Sequence, residues 1–144
     1  MSSLPLKRPD WDEYFMNIAK TISMRSPDPK KQVGCILVVD NRIVSHGYNG
    51  LPSKIDEEVI DWSDRNSVHD VIIHAEQNCL LYANQNNFQN GVIYCTLSPC
   101  IQCLKIIRTC GIKKVVFQEK YKHFDKLQEI ADLFEIQLVQ IHLA

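Results

Sequence analysis

Residues 92–117, VIYCTLSPCIQCLKIIRTCGIKKVVF, decide how this chain folds. Val92 to Leu97 alternates as a half-buried strand does. Ser98 is a good N-cap, Pro99 suits the first helical position and Gly111 suits the stop, which together predict a helix between them. Lys113 to Phe117 is a second apolar strand. Strand, helix and strand in such close succession read as a crossover joining two parallel strands.

The same reasoning extends in both directions. Asp10, followed three residues later by Glu13, opens a first helix in the manner of a capping box. Trp11, Tyr14, Phe15, Ile18 and Ile22 then fall on one face, read as core packing, and Pro27 and Pro29 end the segment. Val33 to Val39 is a short β-branched run, hence a buried strand. Asp40-Asn41 turns it back into Arg42 to His46 as a hairpin partner. Gly47-Tyr48-Asn49-Gly50 reads equally as an ordinary turn or as backbone able to approach a ligand closely.

Residues 51–73 are polar and acidic, through Asp56, Glu57, Glu58, Asp61 and Asp64. They read as a long loop with a short helical turn near Trp62, and loops this long in a compact domain are often functional. His74 to about Tyr82 is helical, and Asn84 to Gly91 turns the chain. Asp125 caps a helix whose Leu127, Ile130, Ala131 and Phe134 share a face, and Ile136 to Ile141 is a last strand. The order α-β-β-α-β-α-β-α-β predicts one α/β domain over residues 1–144, a three-layer α/β/α sandwich with a mixed five-stranded sheet.

The chain has 144 residues, is 45% hydrophobic and carries a net charge of −1. No basic field advertises nucleic acid, so small ligands are the expected partners. No apolar run approaches membrane-spanning length, and Met1 to Asp10 lacks the apolar region of a signal peptide, so a cytoplasmic setting is expected. Of six cysteines, Cys35, Cys79, Cys95 and Cys110 sit among Ile, Leu and Val and read as small buried hydrophobes. Cys100 and Cys103 remain as a chemical pair.

Those two lie three residues apart on one face of the helix start, where the helix dipole favours thiolates. A lone Cys-x-x-Cys could be a redox pair, but His74-Ala75-Glu76 upstream makes zinc the better reading. One imidazole and two thiolates leave the fourth tetrahedral position open for water, and Glu76 supplies a carboxylate close by. On a regular helix two residues span about 200°, so His74 and Glu76 converge only if both occupy the first turn and the site lies off the helix end. His46, His69, His123 and His142 have no partner at ligand spacing and read as surface or structural, with His69 and His123 flanking the expected pocket. Lys113, Lys114, Lys120 and Lys122 read as a solvated face.

The spacing His-x-Glu … Pro-Cys-x-x-Cys is the signature of zinc-dependent base deaminases. Beyond it, Arg25-Ser26-x-Asp28-Pro29, Val33-Gly34, Arg42-Ile43-Val44, Gly47-Tyr48-Asn49-Gly50-x-Pro52, Gly111-Ile112-Lys113 and Lys120-Tyr121 resemble segments of the deoxycytidylate deaminases, in family order. Trp11-Asp12-Glu13-Tyr14-Phe15-Met16 is similar too. The resemblance covers roughly residues 9–122 and implies the cytidine deaminase-like fold.

It also implies conversion of dCMP to dUMP with release of ammonia, supplying dUMP for thymidylate synthesis. Zinc would be held by His74, Cys100 and Cys103, and water would add at C4 of cytosine. Glu76 would carry a proton from that water to N3 and then to the departing ammonia. Arg25 would grip phosphate, Asn49 would contact the deoxyribose and Tyr121 would line the nucleotide pocket. The family is typically hexameric, activated by dCTP and inhibited by dTTP.

Some positions depart from the family pattern. Ser53-Lys54 replaces an Asn-Gly in the effector loop, which removes backbone freedom and adds a cation at Lys54. Val68 to Ile73 and Ile101-Gln102 also differ, and Ser98 stands where an aromatic is common. Lys54 is therefore a candidate effector or phosphate contact. A wider specificity that includes dCTP, with Mg2+ accompanying the triphosphate, is the alternative. Deamination of adenosine in tRNA fits the near-neutral composition poorly, and a non-catalytic zinc-stabilised nucleotide-binding module leaves Glu76 without a purpose.

Overall fold

A computed structural model describes residues 7–85 and 88–143. The first six residues of the Met1–Asp10 stretch and two residues of the Asn84–Gly91 turn lie outside that range. The elements are α1 (Trp11–Ser23), β1 (Gly34–Val39), β2 (Arg42–Tyr48), a 3-10 turn (Glu57–Val59), α2 (Arg65–Val71), α3 (Ala75–Leu81), β3 (Gly91–Leu97), α4 (Ile101–Thr109), β4 (Lys114–Glu119), α5 (Phe124–Leu133) and β5 (Gln137–Gln140).

The strands form one mixed sheet in the order β2-β1-β3-β4-β5. β1 runs antiparallel to both β2 and β3, whereas β3, β4 and β5 are parallel to one another. Side-chain alternation splits the buried residues between two faces. Ile36, Val38, Tyr94 and Val116 pack with Phe15, Met16 and Ala19 of α1. Cys35, Leu37, Ile93, Cys95 and Val115 face the opposite way, onto Ala75 and Cys79 of α3, Leu104 and Ile107 of α4, and Leu127 and Ala131 of α5. Helices cover both faces, giving the α/β/α sandwich.

Several local expectations change. Asp10 does cap α1, its Oδ1 accepting from Glu13 N–H at 2.8 Å. The aromatic stripe of that helix is only partly core, because Phe15 is buried while Trp11 and Tyr14 are largely exposed and lean on its ring. The 51–73 segment contains a true helix, α2, capped by Asp64, whose Oδ2 accepts from Ser67 Oγ at 2.7 Å. Its short polar sequence has too weak an apolar period to announce a helix.

α4 begins later than Ser98 and Pro99 suggest, with Cys100 itself as N-cap. Ser98 is buried and its Oγ accepts from Tyr121 N–H at 2.8 Å, so its hydroxyl is committed elsewhere. α5 starts from His123, held at φ 58°, and Asp125 falls in the first turn instead of capping it. Gly111 is the stop for α4, at φ 84°.

Two glycines set how closely the layers approach. A Cβ at Gly34 would lie 2.0 Å from the carbonyl oxygen of Ala19 in α1, and one at Gly47 would lie 2.5 Å from Cys79 N in α3. Either helix would have to move away from the sheet to admit it. Further ties fix α3 against β2: Ser45 Oγ donates to Cys79 O at 2.6 Å, and Asn78 Nδ2 donates to Tyr48 O at 2.8 Å.

Replacing Gly47 by Ala should therefore cost about 1–3 kcal/mol of stability, the range of an overpacked core. Denaturant unfolding of the two proteins measures it, and an unchanged midpoint would contradict this packing.

Candidate active site

The site is assembled where α3 and α4 begin. Gly50 and Ile73 pair in a short antiparallel bridge, with Gly50 N–H to Ile73 O at 3.0 Å and Ile73 N–H to Gly50 O at 2.7 Å. That bridge delivers the chain to His74, the N-cap of α3, whose N–H donates to Gln77 Oε1 at 2.8 Å. His74 and Glu76 thus sit at the helix entrance, as their convergence on one point requires. Cys100 and Cys103 occupy the matching entrance of α4, with Cys103 N–H directed at Cys100 Sγ over 3.4 Å.

The three donor atoms gather tightly. His74 Nδ1 lies 3.2 Å from Cys103 Sγ and 3.4 Å from Cys100 Sγ, and the two sulfurs are 3.4 Å apart. Around a tetrahedral zinc, ordinary bond lengths place two sulfurs about 3.8 Å apart and a sulfur and nitrogen about 3.6 Å apart. The observed triangle is that arrangement, contracted by a few tenths of an ångström. Among the described residues, no other trio of His, Cys, Asp or Glu ligand atoms meets so closely.

The charges show why the donors suit a cation. Hydrogen bonds from Cys103 and His74 pull the Cys100 thiol down to about 4. The Cys100 sulfur and burial together push the Cys103 thiol up, because two thiolates in contact repel. A hydrogen bond to Cys100 raises the His74 imidazole above its ordinary value. A dication among them removes the conflict and lets both cysteines ionise.

Glu76 is only 4% exposed, and burial raises its carboxyl above the usual range despite a hydrogen bond from Cys95. It lines a cavity of about 290 Å³ together with His74, Cys100, Val33, Asn49, Ile72, Leu97, Ser98 and Tyr121. Cys103 is fully buried.

Cations also reach this cavity. Lys31 and Arg65 line it, as do Asp28 and His69. Arg65 is gripped by Asp28, with Nη1 to Oδ1 at 2.9 Å and Nη2 to Oδ2 at 2.6 Å, and it also donates to Trp62 O at 3.0 Å. Burial alone would raise the Asp28 carboxyl, but Arg65 and the Lys30 N–H outweigh it and hold the group below its ordinary value. Lys31 Nζ stands 4.0 Å above the Tyr121 ring, a cation–π contact that orients both.

Arg25 stands apart from these residues: it is exposed and is not part of the cavity lining. His69, read as a surface or structural residue flanking the expected pocket, is exposed on α2 and contributes to the cavity lining. Arg65 was missed because a loop reading gives a lone arginine no direction, although the length of that loop was itself a signal. Asn49 lines the cavity, but its side chain also braces the backbone, with Oδ1 accepting from Val33 N–H at 2.8 Å and Nδ2 donating to Lys31 O at 2.7 Å. An amide still keeps one proton and one lone pair beyond those two bonds. Lys54 lines a separate cavity with Tyr48, Pro52, Ser53 and Tyr82, and it stands at φ 70°, a backbone region that favours glycine.

Residues 9–119 match the family described as the cytidine and deoxycytidylate deaminase zinc-binding region. The chain belongs to this family. It is 35% identical over 147 residues to the human deoxycytidylate deaminase, a match covering 94% of this chain and 83% of that protein. It is 38% identical over 127 residues to the Saccharomyces cerevisiae deoxycytidylate deaminase, covering 82% of this chain but only 40% of the yeast protein. In structure it resembles the dCMP deaminase of cyanophage S-TIM5 in complex with dCMP and dUMP, with a TM-score of 0.78 and 26% identity over 94% of this chain and all of the other. The zinc-binding region of the family is thus carried here by His74, Cys100 and Cys103, the cluster that the geometry isolates.

Purified protein should contain about one zinc per chain, and Cys103→Ser should lose most of it on dialysis against a chelator. Elemental analysis checks both, and full retention by the variant would contradict the assignment of this sulfur.

Proposed function

We propose that this chain forms a zinc-dependent hydrolase domain that converts dCMP to dUMP and ammonia. The observation that carries this reading is the convergence of His74, Cys100 and Glu76 on one cavity that also receives Arg65 and Lys31, with the buried Cys103 sulfur completing the ligand triangle. The similarity to named deoxycytidylate deaminases over most of the chain supports the same substrate.

When bound, zinc would supply Lewis acidity that makes water a nucleophile at neutral pH. The remaining work falls to side chains. Glu76 takes one proton of that water and delivers it to N3 of the pyrimidine as C4 is attacked, then takes the proton of the new C4 hydroxyl and passes it to the exocyclic amino group, so that the C4–N bond breaks, ammonia leaves and the C4 carbonyl forms. A buried carboxyl raised above its usual range is suited to holding a proton between those transfers. The apolar walls, Val33, Ile72 and Leu97, exclude competing water from the base.

For the phosphate, Arg65 and Lys31 are better placed than Arg25. Arg65 is already oriented by Asp28, so little freedom is lost on binding, and its guanidinium suits an oxyanion. His69 adds an imidazole to the same lining. Asn49 serves the deoxyribose with its remaining hydrogen-bonding capacity, and Tyr121, pinned by Lys31, forms the wall beside it.

Hexameric assembly, activation by dCTP and inhibition by dTTP remain part of the reading through the family resemblance. Lys54 lies in the second cavity, which supports an effector contact over a contact to the substrate phosphate. Turnover of dCTP itself, with Mg2+, is the second reading, favoured by the number of cations near the cavity. Among the described residues no helix is long and apolar enough to cross a membrane.

Glu76→Gln should keep its zinc and lower kcat by at least about 100-fold, the usual scale for losing a proton carrier. Ammonia release from dCMP measures it, and full activity in the variant would overturn the mechanism. Arg65→Ala should raise KM for dCMP about 10-fold or more while leaving the weaker turnover of deoxycytidine unchanged. Equal losses on both substrates would remove Arg65 from the phosphate. Assaying dCMP and dCTP side by side separates the two specificities.

A further inference from the structure

Cys95 lies in β3, on the face of the sheet that meets α3 and α4, and it is completely buried. Composition reads it as one more small hydrophobe. Its position says more: Sγ is 3.0 Å from Oε1 of Glu76, closer than the usual sulfur–oxygen contact of a bystander. Burial pushes the thiol up to about 11, so at neutral pH it holds its proton and is a donor.

We propose that Cys95 is a positioning residue for the deamination, its S–H fixing Oε1 of Glu76 so that the second oxygen is left for proton transfer in the cavity. The inference rests on the reading of Glu76 as the proton carrier.

Three observations carry it. Glu76 is buried, and a buried carboxyl oxygen with no donor is costly. With Cys95 in place, no buried side-chain oxygen or nitrogen among the described residues lacks a partner. The sulfur belongs to a central strand flanked by β1 and β4, opposite Cys35 and beside Phe117, so the donor comes from a rigid element and not a loop. When Cys103 binds metal as a thiolate it has no proton to offer, which leaves Cys95 as the donor on the sheet side of Glu76. Rigid support of this kind is what keeps a catalytic side chain within productive geometry.

The test compares Cys95→Val, which loses the donor and adds about one methyl group to the core, with Cys95→Ser, which keeps a donor. Both are assayed with zinc content verified against wild type. The expected result is a kcat about 10-fold lower in Cys95→Val with KM for dCMP within about twofold, and recovery of most of that loss in Cys95→Ser. An unchanged kcat in Cys95→Val, or equal losses in both variants, would overturn the proposal.

A spectroscopic arm does not depend on turnover. The infrared S–H stretch of Cys95, isolated by subtracting the spectrum of Cys95→Val, should lie at the lowered frequency of a bonded thiol and rise in Glu76→Ala. A band unmoved by loss of Glu76 would overturn it. Because that band is read without substrate, it separates a failure of this inference from a failure of the proposed reaction. If Cys95→Val does not fold, the variants Cys95→Ala and Cys95→Ser supply the same comparison.

Discussion

Two helix entrances, those of α3 and α4, meet within reach of one small ion, and the site depends on that meeting. A metal ligand set drawn from two separate helices demands that each be placed to within a few tenths of an ångström. Here the placement comes from the sheet. Gly47 lets β2 lie directly against the backbone of α3, and Ser45 and Asn78 lock the contact with hydrogen bonds. β3 leads through Ser98 and Pro99 into α4, and the buried Ser98 hydroxyl ties that corner to Tyr121. The packing of the fold and the geometry of the ligands are therefore one constraint.

That geometry creates an electrostatic problem in the bare chain. Two thiols in contact cannot both ionise, so Cys100 and Cys103 shift in opposite directions, while a buried glutamate sits near them against the cost of its own desolvation. A dication resolves the first conflict and eases the second. The same logic explains the outer part of the cavity. Buried Asp28 is acceptable because Arg65 pairs with it, and Arg65 in turn acquires a fixed direction. Charge is compensated at each level, from the ligand triangle outward.

Much of this was legible in the sequence because it is local. The strand–helix–strand reading of residues 92–117, the cap at Asp10 and the stop at Gly111 rest on short-range chemistry, and they hold with boundary shifts of a few residues. The angle between His74 and Glu76 meant that they could converge only from a shared helix entrance, and α3 provides it. What escaped was long-range. Ser98 looks like a cap until Tyr121, distant in sequence, claims its hydroxyl. Arg65 carries no local signal of a cavity, since its direction is set by a short polar helix and by Asp28 far upstream. Arg25 shows the converse: a motif resemblance named it, yet the neighbouring Asp28 and Lys31 are the ones that reach the cavity. Cys95 is indistinguishable from a buried hydrophobe until its distance to Glu76 is known.

Deamination of dCMP at this zinc site is decided by product analysis. Protein carrying one equivalent of zinc is incubated with dCMP, and dUMP and ammonia are quantified together. Both should form in equal amounts, increasing with time, and neither should form once the zinc is removed. Bound zinc and bound dCMP with no dUMP formed would contradict it.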